Sequence, residues 1–239
     1  MPDIYKVNEI GELIKDNEYV GRGIVIGLTK DKTKAAIAYF IMGRSENSRN
    51  RVFKDEGDDV TIYPYDPSKV EDPTLIIYSP VRKIGSTTIV TNGDQTDTIY
   101  EFLEKGESFE AALRTRKFEH DAPNFTPRIS GIVYKNGADG YKMSILKSAN
   151  PEGSACFRET FEYEPVGGLG HFIHTYVCNG NPIPTFVGEP ERVEIPDTAD
   201  ELFDTLWKNL NEANKISMLV RYIDVKTGEY TQKIINKFN

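Results

Sequence analysis

Two rhythms of apolar residues divide this chain. Alternating or continuous β-branched runs at 19–27, 34–42, 60–65, 74–82, 87–91, 129–134, 141–146, 155–163, 170–178, 216–225 and 229–235 predict strands, because alternate side chains of a strand share a face. A spacing of three to four residues predicts helices at 8–15, around Ile10, Leu13 and Ile14, and from Thr96 to Gly106, around Ile99, Phe102 and Leu103. A third follows from Ser108 to Lys117, with Phe109, Ala112 and Leu113 inward. The strongest helical pattern is 198–213, where Leu202, Phe203, Leu206, Trp207 and Leu210 line one face and Thr198 with Glu201 forms a capping box. Turns at Thr29–Thr33, Asn136–Gly140 and Lys226–Gly228 join neighbouring strands, so the class is α+β with long antiparallel sheets. No shift in composition splits the chain, and 1–239 reads as a single domain with 1–18 as an N-terminal extension.

Polar residues concentrate where these elements change. Asn92-Gly93-Asp94-Gln95-Thr96-Asp97-Thr98 joins a strand to a helix. Asn92-Gly93 suits a tight turn, and Asp94, Thr96 or Asp97 can cap the helix, but a cap needs only one polar side chain. The surplus points to a ligand, since a helix start offers an anion its N–H groups and positive end. In Gly43-Arg44-Ser45-Glu46-Asn47-Ser48-Arg49-Asn50-Arg51, three arginines stand among hydroxyl and amide donors. This is either a phosphate or carboxylate grip or a solvated basic loop facing the acidic stretch Asp55–Asp59. Glycines flank Arg22, allowing close approach of a backbone or ligand, and Pro127 excludes a helix beside Arg128.

The apolar fraction of 38% and aromatic fraction of 11% support a sizeable core. A formal charge of −8 argues against broad nucleic-acid binding, although a few local arginines can still serve a phosphorylated small molecule. Cys156 and Cys178 have no metal-ligand spacing, and alternation puts His171 and His174 on opposite strand faces, so no metal is expected. The start Met1-Pro2 carries no apolar signal core, and no run approaches the roughly 18 residues of a membrane span, which makes a cytoplasmic protein the expectation.

Gly21-Arg22, Gly43-Arg44-Ser45 with Arg49, Asn92-Gly93 with Thr96-Asp97-Thr98-Ile99, and Thr126-Pro127-Arg128-Ile129 occur in an order and spacing that resembles the archaeal-type inosine monophosphate (IMP) cyclohydrolase family across roughly residues 19–135. The Gly-rich segment with His174-Thr175-Tyr176 extends the likeness. The extension before Tyr19, the acidic Asp55–Asp59 segment and the long C-terminal half mark a divergent, bacterial member. The resemblance implies a four-layer αββα sandwich of the N-terminal-nucleophile hydrolase type. Met1-Pro2 shows no processing point before a Ser, Thr or Cys, so a nucleophile mechanism does not come with the fold.

The implied reaction closes a purine ring. The carboxamide nitrogen of a formamidoimidazole carboxamide ribonucleotide attacks its own formyl carbon, and water is lost to give IMP. Because both groups belong to one substrate, holding them in register supplies much of the catalysis. The resemblance implies catalytic roles for Arg49, Tyr78 and Glu119: Arg49 and Tyr78 for oxyanion stabilisation or proton transfer, Glu119 for orientation or proton acceptance. Arg22, Arg44, Ser45, Asn92, Asp97, Thr126 and Arg128 are the implied substrate-binding set, with Asp97 also suited to capping the helix. Glu119 stands one residue further from Thr126 than the family spacing. No cofactor is implied, and the partner is a purine-pathway nucleotide, with a homo-oligomer left open. The competing reading is a nucleotide-binding or regulatory module that has lost catalysis.

Overall fold

The computed structural model describes residues 3–70 and 77–238. The first part of the expected 74–82 strand therefore lies outside the described residues. Two antiparallel sheets form the body. The first has the order β11 (Glu191–Glu194), β10 (Leu169–His174), β1 (Arg22–Leu28), β2 (Lys34–Met42), β12 (Lys215–Asp224), β13 (Tyr230–Asn236). The second runs β3 (Val52–Glu56), β4 (Asp59–Tyr63), β5 (Val81–Ile84), β6 (Thr87–Thr91), β7 (Arg128–Val133), β8 (Tyr141–Ser148), β9 (Cys156–Tyr163).

The central strands are apolar on both sides because both sides are covered. Ile24 and Ile26 of β1 and Ile37, Tyr39 and Ile41 of β2 pack toward Val60, Val81, Val90, Ile129 and Met143 of the second sheet. Their neighbours Val25, Ala36, Ala38 and Phe40 face the other way, onto Ile10 and Ile14 of α1 (Ile10–Ile14) and Leu202 and Leu206 of α5 (Ala199–Asn209). On the far side of the second sheet, Ile89, Ile132 and Leu146 meet Ile99 of α3 (Gln95–Glu104) and Phe109, Ala112 and Leu113 of α4 (Phe109–Arg114). A continuous apolar run in such a strand is thus the signature of double burial rather than of a solvent-facing sheet.

Several local expectations shift. The basic stretch holds a short helix, α2 (Glu46–Arg49), closed by reciprocal bonds between Ser45 and Ser48. The acidic segment contributes to a hairpin, in which Val52–Glu56 pairs with β4. Tyr78 precedes β5, its carbonyl accepting from Ile62 N–H at 2.9 Å. Thr198 caps α5 through the Glu201 N–H, but the helix ends at Asn209 because Leu210 turns extended and buries its side chain. No helix among the described residues is long and apolar enough to cross a membrane.

Candidate active site

A cleft of about 370 Å³ opens where the ends of β1, β2, β6 and β7 converge. It is lined by Tyr19, Arg22, Arg44, Ser45, Arg51, Asn92, Glu119, Asp121, Thr126 and Tyr176, among others. Gly21 lets the chain approach Thr175 closely just before Arg22. Its φ of +79° is left-handed, and a Cβ there would stand 2.1 Å from Thr175 Oγ1. Arg22 then reaches inward, donating from Nη1 to the Met42 carbonyl at 3.0 Å and to Tyr19 Oη at 3.4 Å.

Charge inside the cleft differs from that of the acidic chain around it. Burial works against the Arg22 cation, but Tyr19, Tyr39, Tyr78 and Glu119 outweigh it and hold its pKa above the ordinary value. Arg51 is lowered, by burial first and then by the like charge of Arg22. Glu119 is raised: desolvation exceeds the opposing pull of Arg128, Arg22 and Arg51. A carboxyl that holds its proton more tightly beside fixed guanidinium groups is equipped for acid–base work next to a developing anion.

Six residues of the implied set line this cleft: Arg22, Arg44, Ser45, Asn92, Glu119 and Thr126. The others sit elsewhere. Arg49 turns out of the cleft, donating to the Gly43 carbonyl at 3.1 Å and to Asn214 Oδ1 at 3.2 Å, and it lines a separate hollow with Tyr65 and Phe238. Arg51, two residues on, takes the inward position. Tyr78 lies behind the wall, its buried hydroxyl donating to the Asn92 carbonyl at 2.8 Å and meeting Tyr39 Oη at 3.2 Å. Asp97 neither caps α3 nor reaches the cleft; it pairs with Arg82 at 2.9 Å. Arg128 is bound to Asp94 at 2.6 Å and Gln95 Oε1 at 2.7 Å, and from there its charge acts on Glu119.

The polar surplus of 92–98 therefore has an internal use. Asn92 Nδ2 donates to the Pro127 carbonyl at 2.8 Å, while its Oδ1 accepts from Ile129 N–H at 2.9 Å and Gln95 Nε2 at 3.0 Å. Asp94 bridges Arg116 and Arg128, and Thr96 meets Thr91 Oγ1 at 2.6 Å. The junction is a staple between β6 and β7 rather than an open anion site, with Asp94 already at the positive end of α3.

Arg44 crosses the mouth, its guanidinium over the Tyr19 ring at 5.1 Å and bound to Asn179 and to the Gly180 carbonyl at 2.9 Å. From the opposite rim, Asn124 Oδ1 accepts the Ile183 N–H at 3.1 Å. His171 and His174 face opposite sides of β10. His171 is stacked on Tyr163 at 3.5 Å and pushed down to about 4, by burial first and then by Arg192. His174 Nε2 lies 3.0 Å from Glu191. Among the described residues no group of three or more His, Cys, Asp or Glu is disposed to hold a metal ion.

A family model described as IMP cyclohydrolase-like protein matches residues 19–228. The chain belongs to that family. The IMP cyclohydrolase of Methanococcus aeolicus is 31% identical over 187 residues, covering 74% of this chain and 91% of the relative. Those of Methanopyrus kandleri and Methanocella arvoryzae are each 35% identical, over 162 and 145 residues. These alignments cover 66% and 56% of this chain and 75% and 70% of the relatives. The family match spans every residue that lines the cleft, from Tyr19 to Ile183.

Residue-level reasoning missed Tyr19, Arg51, Asp121 and Tyr176 as cleft residues. Arg51 lay in plain view within the Arg44–Arg51 run, but spacing does not tell which arginine after a four-residue helix turns inward. Tyr176 is more than 150 residues from Tyr19 and Arg22 and is brought beside them by the β1–β10 pairing.

Proposed function

We propose that this protein is an IMP cyclohydrolase, closing the purine ring of a formamidoimidazole carboxamide ribonucleotide with loss of water, in purine biosynthesis in the cytoplasm. What carries the reading is the coincidence of the family match with the whole of the arginine-lined cleft. The helix, sheet, sheet, helix order traced by the three apolar clusters supports assignment to the αββα architecture.

Within this reading, Arg44 and Ser45 at the mouth receive the ribose phosphate, as exposed donors beside a closed helical turn. Arg22 and Arg51 stand deeper and stabilise the oxyanion that forms as the formyl carbon is attacked. Glu119, with its raised proton affinity, gives that oxygen a proton and so prepares the hydroxyl to leave as water. Asn92 lines the cleft with its carbonyl held by Tyr78, Arg128 holds Asp94 and Gln95 beside it, and Arg49 and Asp97 serve the scaffold.

The test is ultraviolet absorbance of the formylated ribonucleotide with purified protein, against a blank without protein, alongside thermal unfolding with and without IMP. Accelerated ring closure is expected, together with a rise in Tm on binding. IMP binding without ring closure would identify a silent nucleotide-binding module instead.

A further inference from the structure

Two cleft residues meet through their hydroxyls. Thr126 Oγ1 and Tyr176 Oη are 2.6 Å apart, and both residues line the cleft. The direction of this bond follows from what stands behind it. Thr126 engages both carboxylate oxygens of Asp121: Oδ1 accepts its main-chain N–H at 2.6 Å, and Oδ2 accepts its hydroxyl. An ionised carboxylate only accepts. The single hydroxyl proton of Thr126 therefore points to Asp121, and Thr126 Oγ1 accepts from Tyr176. With its own proton committed, Tyr176 Oη keeps acceptor lone pairs for a donor in the cleft.

The phenol is held for this task. Its ring stacks on Tyr19 with centroids 5.8 Å apart and planes 24° from parallel, and its N–H donates to the Val20 carbonyl at 3.2 Å. Burial raises its pKa, so it stays neutral. Asp121 at the other end is exposed to water.

We propose that Tyr176, Thr126 and Asp121 form a proton relay that removes the proton from the attacking carboxamide nitrogen. This rests on the cyclohydrolase reading. As the nitrogen–formyl carbon bond forms, the carbonyl π pair moves onto the formyl oxygen and the N–H proton passes to Tyr176 Oη. The proton already on Tyr176 passes to Thr126, and that of Thr126 to Asp121, which becomes a carboxylic acid and returns the proton to water. Tyr176 is the catalytic residue; Thr126 and Asp121 act through it.

Tyr176→Phe keeps the ring stack and removes only the hydroxyl, and Thr126→Val breaks the relay at its middle. Each is expected to lower kcat by about 100-fold with little change in KM. The double variant should be no slower than either single one, because members of one unit are not additive. Thr126→Ser should restore turnover, and the solvent deuterium isotope effect of the wild type should shrink in Thr126→Val. The IMP-induced rise in Tm, retained in each variant, reports a folded cleft. Wild-type turnover with an unimpaired Tyr176→Phe, or losses that multiply in the double variant, overturns the relay alone. Absence of turnover by the wild type removes the cyclohydrolase reading and the relay together.

Discussion

The two arginines of the Arg49-Asn50-Arg51 run should behave in opposite ways. Arg49 gives its guanidinium to the Gly43 carbonyl at 3.1 Å and Asn214 at 3.2 Å, outside the cleft. Arg49→Ala removes two charge-assisted bonds from a half-buried side chain, which costs about 1–2 kcal/mol after allowance for water replacing them. At roughly 2–4 °C per kcal/mol for a chain of this size, Tm should fall by about 2–8 °C. Turnover at a temperature well below Tm should stay near wild type. Arg51→Ala instead takes a guanidinium from the cleft that Glu119 also lines, where the proposed oxyanion would form. Loss of one such group is worth about 100- to 1,000-fold in kcat. The assay is ring closure by ultraviolet absorbance, run beside thermal unfolding with IMP to show that each variant is folded. A 100-fold loss in Arg49→Ala with IMP binding intact, and none in Arg51→Ala, would refute the placement of these side chains.

Tyr78→Phe should cost about 1–3 kcal/mol, the penalty for leaving the buried Asn92 carbonyl and Tyr39 hydroxyl short of a partner. Urea unfolding should show a lower midpoint at unchanged m, and a large fall in kcat without loss of stability would contradict its place behind the wall. Glu119 has a folded pKa raised by burial, so the unfolded chain ionises first and the charge is a liability at neutral pH. Glu119→Gln should therefore be the more stable protein near pH 7, and less active. Its stability advantage should vanish below about pH 4, where the group is protonated in both states. Asp94 works in the other sense. Burial opposes its charge, but Arg128 and Arg116 outweigh that and lower its pKa. Its stabilisation is present above about pH 4, the ordinary carboxylate value, and is lost as pH falls through the depressed folded value. Asp94→Asn should be less stable at neutral pH and lose less on acidification, and parallel acid-unfolding curves would exclude the bridge.

Much of the secondary structure was legible because each element carries its own period. β2 reads as a run of β-branched and small apolar residues, and α5 as a stripe from Leu202 to Leu206 behind a Thr198 cap. Less visible were β11, four residues with a single buried side chain, and α2, whose ends are set by Ser45 and Ser48 within a polar stretch. The family likeness brought six of the cleft's side chains into view, from Arg22 to Thr126, but it took Arg49 rather than Arg51 as the inward arginine. Arg49 and Arg51 have the same chemistry, and Asp97 is as polar as Asp121. Their difference is the direction of a side chain after a particular turn, which depends on Gly43, Asn214 and Arg82 waiting on other elements.

What the sequence alone determined is the class, α+β with antiparallel pairing, since periodicity and turn residues act over a few positions. It also determined the stock of donors from which a nucleotide site can be built. Only the tertiary structure decided how that stock is divided. The 92–98 junction consumes its polar surplus in stapling β6 to β7, while Tyr19, Arg51, Asp121 and Tyr176, from four separate segments, converge on the cleft. Burial of Glu119 among arginines, and the order of protons from Tyr176 to Asp121, exist only once those segments share one low-dielectric space.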